Sequence, residues 1–265
     1  YWRATRAGLK LGSGLSDGVK LGFDTGFDSG STLDYVYRNQ PAGKSGLGRM
    51  IDRNYLNAIG WRGIRQRKLH VEELLRLAMH RLREDGREVR IVDIAAGHGR
   101  YILEALEGVE LTPESILLRD YSDINVRDGQ ALIEAKGLGE VARFVKGDAF
   151  DRADLAALDP KPSLAVVSGL YELFGDNGMV GGSLAGLGKA VEPGGFLVYT
   201  GQPWHPQLEF IARALSSHRD GQPWVMRRRS QLEMDQLVEA AGFKRIDLRV
   251  DEWGIFSVGL AQKVR

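Results

Sequence analysis

The sequence predicts an α/β fold: a doubly wound, mostly parallel seven-stranded sheet with an N-terminal helical cap. Three observations carry this expectation. Short apolar runs alternate with helical patterns from residue 89 onward, the signature of parallel strands joined by crossover helices. The first run ends in a glycine-bearing turn, "VDIAAGHG" (92–99), and passes directly into a helical pattern. The 265 residues are 43% hydrophobic and 27% charged, which suits one large α/β domain or a domain with an extension.

Glycines at 8, 12, 14, 18, 22, 26 and 30 crowd the first segment, including the near-repeat "GFDTGFDSG". Glycine costs about 1 kcal/mol relative to alanine in a helix. The segment therefore reads as a flexible arm draped over the body, with a close-packed substrate-side loop as the alternative. From Thr32 to Lys68 the chain is aromatic and basic; between Arg49 and Lys68 six positive residues face one negative. The "GKS" at Gly43–Ser45 is not a phosphate loop, because Arg38 stands where its first glycine belongs and no strand precedes it. A turn is expected there.

Val71, Leu74, Leu75, Ala78, Met79 and Leu82 form one apolar stripe, predicting a helix over 69–85 that Gly86 closes. Strands are expected at 89–94, 115–119, 142–146, 163–168 and 195–200. Val180, Leu184, Leu187 and Val191 keep helical spacing through a glycine-rich stretch. Ser230 and Glu233 open a last helix as a capping box, and Gly242 stops it. Two closing strands, 244–250 and 255–262, form an antiparallel pair at one edge. The domain division this implies is 1–68, arm and helical cap, and 69–265, the α/β domain.

Composition narrows the chemistry. Without cysteine there are no disulfides, thiolate metal sites or cysteine nucleophile. The histidines are scattered, so no metal site is expected. A net charge of +1 gives no whole-chain case for nucleic acid. No apolar run approaches the roughly 20 residues that span a bilayer. A cytoplasmic setting is expected, with peripheral contact at a membrane left open. The chain opens on Tyr1 rather than methionine, which reads as a boundary within a longer polypeptide.

Acidic residues close three successive strands: Asp93, Asp120 and Asp148. Gly97 and Gly99 supply two glycines of a dinucleotide turn, but Ile102 occupies the third small position, which disfavours a nicotinamide cofactor. Small residues at Ala95, Gly97 and Gly99 let backbone approach a nucleoside. Asp93 either organises the turn through backbone N–H groups or faces an ammonium group. Asp120 stands where a carboxylate meets ribose hydroxyls, and Asp148 where an exocyclic amine would sit. Three carboxylates fit a ligand with a ribose, an amine and no phosphate.

These segments resemble the class I methyltransferases that use S-adenosylmethionine, with a Rossmann-like sheet. "VDIAAGHG" resembles their first motif, with Ala95 replacing its usual first glycine; "LLRDYS" and "VKGDA" resemble the second and third. "LAVVSGLYELF" is similar to the fourth-strand motif and "VEPGGFLVY" to the turn and strand after the fifth helix. The resemblance implies that Asp93, Gly97, Gly99, Asp120, Asp148 and Ala149 hold the cofactor, with Ala95 in the same turn. Ser168 and Gly169 would flank the methyl donor, and S-adenosylhomocysteine would be the product. The N-terminal "TLDYVYRNQP…GRMIDRNYLNAIGWRGIRQRK" further resembles a bacterial methyltransferase family often fused behind an α/β-hydrolase, which implies an upstream hydrolase domain.

Tyr171 and Glu172 are then placed near the substrate, with Tyr171 as a packed aromatic the alternative. His205 follows the fifth strand and is the first candidate general base, against a reading as a turn residue between prolines. His98 is expected as a hydrogen-bonding loop residue. Substrate-side candidates are Tyr37, Arg38, Trp61, Arg62 and Arg65, the basic ones able to receive an anionic group. Arg65 to Lys68 alternatively form the solvated start of a helix, and "RRR" at 227–229 a solvated edge. The acceptor is expected to be small or lipid-like. A non-catalytic nucleoside- or partner-binding module and a nicotinamide oxidoreductase are the alternatives.

Overall fold

The computed structural model of the chain describes residues 1–264, and these divide into two compact units. One comprises Tyr1–Gln66 with Trp204–Met226; the other comprises Arg67–Pro203 and the chain from Arg227 onward.

The second unit is built on a seven-stranded sheet. Its strands are β1 (Arg90–Asp93), β2 (Ser115–Asp120), β3 (Ala142–Lys146), β4 (Leu164–Val167), β5 (Phe196–Gly201), β6 (Phe243–Val250) and β7 (Ser257–Lys263). They lie in the order β3-β2-β1-β4-β5-β7-β6. The first five are parallel, and β7 pairs antiparallel with both β5 and β6. Each expected strand therefore forms within a few residues of its expected bounds. Strands β4 and β5 are buried at every position, as their unbroken apolar runs require of central parallel strands. The strand order reverses between β1 and β4, so the crevice beyond their carboxyl ends is the topological switch point where ligands bind in open α/β sheets.

The helix α5 spans Ile59–Glu84, beginning ten residues before the expected helix start at residue 69. Its stripe is interrupted by a charged residue that is nevertheless buried: Arg67 is 2% exposed. A pattern search counts arginine as surface, so the helix starts late on paper. Ser230 does cap the helix Gln231–Ala240, accepting from the Glu233 N–H at 3.2 Å.

The first unit corrects the flexible-arm expectation. Residues 1–56 form α1 (Trp2–Ser13), α2 (Asp17–Thr25), α3 (Gly30–Arg38) and α4 (Gly46–Leu56). Ser16, Ser29 and Ser45 each cap the next helix. The glycines serve close approach rather than flexibility: a Cβ on Gly18 would lie 2.6 Å from the Tyr35 ring, and one on Gly22 2.4 Å from Phe27. Buried Asp52 ties the helices together, accepting from the Ser16 hydroxyl (2.5 Å), the Tyr35 hydroxyl (2.5 Å) and the N–H groups of Gly18 (2.8 Å) and Ala42 (2.9 Å). The GKS stretch is the expected turn, with Ser45 as the N-cap of α4.

Residues 204–226 pack with this helical unit rather than with the sheet. The Phe27 N–H donates to the Ser216 carbonyl at 2.9 Å. Asp28 accepts from the Ser217 hydroxyl and the His218 N–H, both at 2.6 Å.

Candidate functional site

The turn after β1 is organised by two carboxylates. Asp93 is fully buried; its Oδ1 accepts from the Ala95 N–H (3.1 Å) and its Oδ2 from the Tyr101 hydroxyl (2.6 Å). Of the two roles considered for Asp93, the structure realises the first, holding the turn from behind. Burial raises its pKa to about 7; the Tyr101 and Ala95 hydrogen bonds oppose the rise, and the negative charge of Asp120 adds to it.

Asp120 closes β2 beside the turn. Its Oδ2 accepts from the Gly97 N–H at 3.0 Å and its Oδ1 from the Ser122 N–H at 2.9 Å. These two bonds fix the orientation of the carboxylate beside the turn. Gly97 and Gly99 both take positive φ, 57° and 74°. A Cβ on Gly99 would lie 2.3 Å from Leu118 Cδ1, so only glycine lets the turn pack onto β2. Ile102, at the third position of the dinucleotide pattern, is fully buried in the short helix α6 (Arg100–Ala105). Asp148 is exposed at the end of β3 and accepts from the Phe150 N–H at 2.8 Å, and Ala149 behind it is buried. His98 stands 3.9 Å from Asp128.

The chain after β4 is braced from three sides. The Gly169 N–H donates to Thr200 Oγ1 of β5 at 2.8 Å. A Cβ on Gly169 would lie 2.8 Å from the Arg67 guanidinium. That guanidinium stacks over Phe256, 4.9 Å from the ring centroid, and donates to Glu172 Oε1 at 3.2 Å. Ser168 is at the margin of burial at the same strand end.

Tyr171 is the packed aromatic of the two readings. It is 2% exposed, and its hydroxyl lies 3.0 Å from Ser183 Oγ, which in turn donates to the Ala149 carbonyl at 2.6 Å. Burial raises its pKa well above the ordinary tyrosine range. The hydroxyl is thus committed to the core.

The arginine run corrects a second expectation. Arg229 is 3% exposed, not a solvated edge. It donates to the carbonyls of Tyr171 (2.6 Å) and Phe174 (2.7 Å) and to Asn177 Oδ1 (2.8 Å), closing the loop that follows β4. Replacing Arg229 with methionine is expected to cost about 3 kcal/mol, because two carbonyls lose charged donors in a buried setting. Denaturant unfolding checks this, and a loss below about 1 kcal/mol would remove Arg229 as the loop's clasp.

The substrate-side candidates all lie in the helical unit. Trp61 is buried, stacked on Trp224 at 5.9 Å and edge-on to Tyr55 at 5.6 Å. Arg65 donates to the Leu56 carbonyl at 2.9 Å, and Arg38 to Asp34 at 3.1 Å. Lys68 pairs with Glu72 and Glu104 (2.6 Å to the latter). Arg67 and Lys68 are therefore not a solvated helix start, since each is paired within the protein, while half-buried Arg65 gives one of its donors to the preceding helix. Arg62 is exposed and Tyr37 half-buried. His205 is 5% exposed in the helical unit; its Nδ1 accepts from the Gln207 N–H at 3.0 Å. A Cβ on Gly60 would come within 2.9 Å of its Nε2.

Tyr101, Thr200 and Arg229 were missed by sequence reasoning. Tyr101 and Thr200 act through single hydroxyls whose partners lie on other elements, a relation that periodicity does not encode. Among the described residues there is no cluster able to hold a metal ion and no helix long and apolar enough to cross a membrane.

Comparison with known proteins decides the family. The model of a family described as "Putative methyltransferase" matches residues 1–263, helical unit included. The chain belongs to this family. An uncharacterized protein of Escherichia coli strain K12, YnbC, is 59% identical over 232 residues, 88% of this chain; the chain spans 40% of that relative's length. Solved structures share the fold of this chain at low identity. One is described as a possible exported protein from Bordetella parapertussis (TM-score 0.71, 18% identical, 89% of this chain and 80% of that one). Another is the magnesium protoporphyrin IX methyltransferase of Synechocystis with bound S-adenosylhomocysteine (TM-score 0.60, 13% identical, 90% of this chain and 97% of that one).

Proposed function

We propose that this chain transfers a methyl group from S-adenosylmethionine to a small-molecule or lipid-like acceptor. The observation that carries the reading is the turn at the switch point, where the Asp120 carboxylate at the end of β2 holds the Gly97 N–H of the positive-φ glycine turn. Family membership supports methyl transfer over nicotinamide chemistry.

The residues present suit that cofactor. The positive-φ turn at Gly97 and Gly99 presents bare backbone to a nucleoside. Asp120 accepts ribose hydroxyls, and Asp148, exposed at the next strand end, accepts from an exocyclic amine. These carboxylates disfavour a ligand carrying phosphates. Asp93 acts from behind, fixing the backbone of Ala95 so that the turn keeps its shape. Ser168 and Gly169 bound the reacting end, where Arg67 and Thr200 set the path of the chain. When bound, the cofactor supplies an electrophilic methyl on a sulfonium; alignment and exclusion of water are the protein's share. Tyr37, Arg38, Trp61, Arg62 and Arg65 on the acceptor side, with His205 and Glu172 as the candidate general bases, belong to the same proposal.

Calorimetric titration with S-adenosylhomocysteine tests it, with NADH as control. Micromolar binding of the former alone is expected. Asp120→Ala is expected to weaken that binding by about 1–3 kcal/mol, since a charged acceptor is lost and the Gly97 amide is left without it. Unchanged affinity would refute the placement of the ribose.

A further inference from the structure

The loop after β4 carries a buried carboxylate, Glu172, which pairs with Arg67 of α5. Glu172 is 7% exposed and lies 105 residues from its partner Arg67 in sequence. Only one of its oxygens faces the guanidinium; Oε2 is buried and has no hydrogen-bond partner. A buried carboxylate oxygen without a donor is costly in a folded protein. On the adjacent strand, Gln202 directly follows β5 and is 2% exposed, and its amide nitrogen Nε2 likewise has no partner. Strands β4 and β5 run parallel with Val167 opposite Tyr199, and the Gly169 N–H bridges to Thr200, so both strand ends open at the same carboxyl edge. The switch-point crevice borders that edge.

An unmet acceptor and an unmet donor at neighbouring strand ends call for a group that both donates and accepts. A hydroxyl does so, whereas a carboxylate or phosphate accepts only and would meet the negative Glu172 oxygen. We propose that Glu172 and Gln202 receive the hydroxyl group of the acceptor, which makes this an O-methyltransferase site for alcohols or phenols; this rests on the cofactor reading above. The Gln202 amide donates to the hydroxyl oxygen and orients it, and the hydroxyl donates to Glu172 Oε2. As the oxygen attacks the methyl carbon, the carbon–oxygen bond forms and the carbon–sulfur bond breaks. The electron pair of the latter stays on sulfur, now a neutral thioether. The hydroxyl proton passes to Glu172 Oε2, and afterwards to water. Arg67 is a positioning residue: it holds Oε1, and Gly169 leaves room for its guanidinium against the turn.

The test uses the chain as it stands with methyl-labelled S-adenosylmethionine and a small-molecule extract of Escherichia coli as the acceptor source. Wild type is expected to yield label that survives alkali and is released as iodomethane by hot hydriodic acid, as the methyl of a methyl ether is. Label that resists both marks a nitrogen or carbon acceptor and overturns the proposal. Label released by alkali as methanol marks a carboxyl acceptor and overturns the proposal. No product from a chain that binds S-adenosylhomocysteine overturns it too. Failure to bind S-adenosylhomocysteine strikes instead at the cofactor reading on which it rests. Glu172→Gln is expected to lower transfer about 100-fold or more, the scale of general base catalysis, with S-adenosylhomocysteine affinity unchanged. Glu172→Asp keeps the charge beside Arg67 but withdraws the oxygen, so it serves if the glutamine variant does not fold; a loss of about tenfold is expected. Gln202→Leu separates a ligand group from a structural one. It is expected to melt no lower than wild type, because an unpartnered amide is removed, while transfer falls about tenfold. A lowered melting point with undiminished transfer would assign Gln202 to the scaffold and overturn its role.

Discussion

Replacing Asp93 with asparagine is expected to abolish a fall in stability that the native chain undergoes between about pH 4 and pH 7. The carboxyl is fully buried, and burial raises its pKa from 3.8 to about 7. The folded protein therefore keeps a proton over a range in which the unfolded chain has lost it. Stability declines as pH rises through that window and levels off above it. The two pKa values correspond to roughly 4 kcal/mol, a large share of the stability of an ordinary domain. Asparagine keeps an oxygen for the Ala95 N–H and turns an N–H donor toward the Tyr101 oxygen, reversing that bond, so the turn survives without the titration. Denaturant melts of both proteins at several pH values check this. The difference in unfolding free energy should shift in favour of the variant by about 4 kcal/mol from pH 4 to pH 8. Parallel curves would show that Asp93 does not titrate there.

The second large effect is expected at Gly99. Its φ of 74° and a would-be Cβ 2.3 Å from Leu118 Cδ1 penalise any side chain twice. Left-handed strain and overpacking each cost about 1–3 kcal/mol, so Gly99→Ala is expected to lose about 4 kcal/mol and melt roughly 10 °C lower. Leu118→Ala made in the same chain should return the steric part, leaving the backbone strain. A favourable coupling of about 1 kcal/mol or more in the double-mutant cycle is the expected result. Strict additivity would mean that the turn does not rest on Leu118.

Much of the sheet was legible because strand cores are written in one place. The runs "RIVD", "SILLRD" and "LAVV" need only their own apolar residues and the turns that bound them. The acids at their ends were legible for the same reason, since the carboxyl edge of a parallel sheet is where such residues are exposed to a ligand. The helical unit was not legible. Its glycines argue against helix one residue at a time, and only the contact of Gly18 with Tyr35 and of Gly22 with Phe27 shows why they are tolerated. Asp52, which four donors from three segments share, looks in the sequence like any charge in a basic stretch.

The charged residues mark the boundary most clearly. Arg67 and Arg229 read as surface because arginine is seldom buried unless it is paired. Their partners, Glu172 and the carbonyls of Tyr171 and Phe174, lie 105 and more than 50 residues away. Tyr171 reads equally as a site residue or a core residue until Ser183 is found beneath its hydroxyl.

By itself the sequence determined the α/β class, the order of strands along the chain, the glycine turn and the carboxylates at Asp93, Asp120 and Asp148. Those depend on local apolar period and on what each residue can do with its own backbone. Tertiary structure alone decided that Asp93 works from behind the turn, that Tyr171 is core, that residues 204–226 join the helical unit, and that Glu172 and Gln202 keep unmet valences at one edge. The physical reason is that burial and hydrogen-bond partnership are set by elements distant in the chain, and a polar residue's role is fixed only once its partner is.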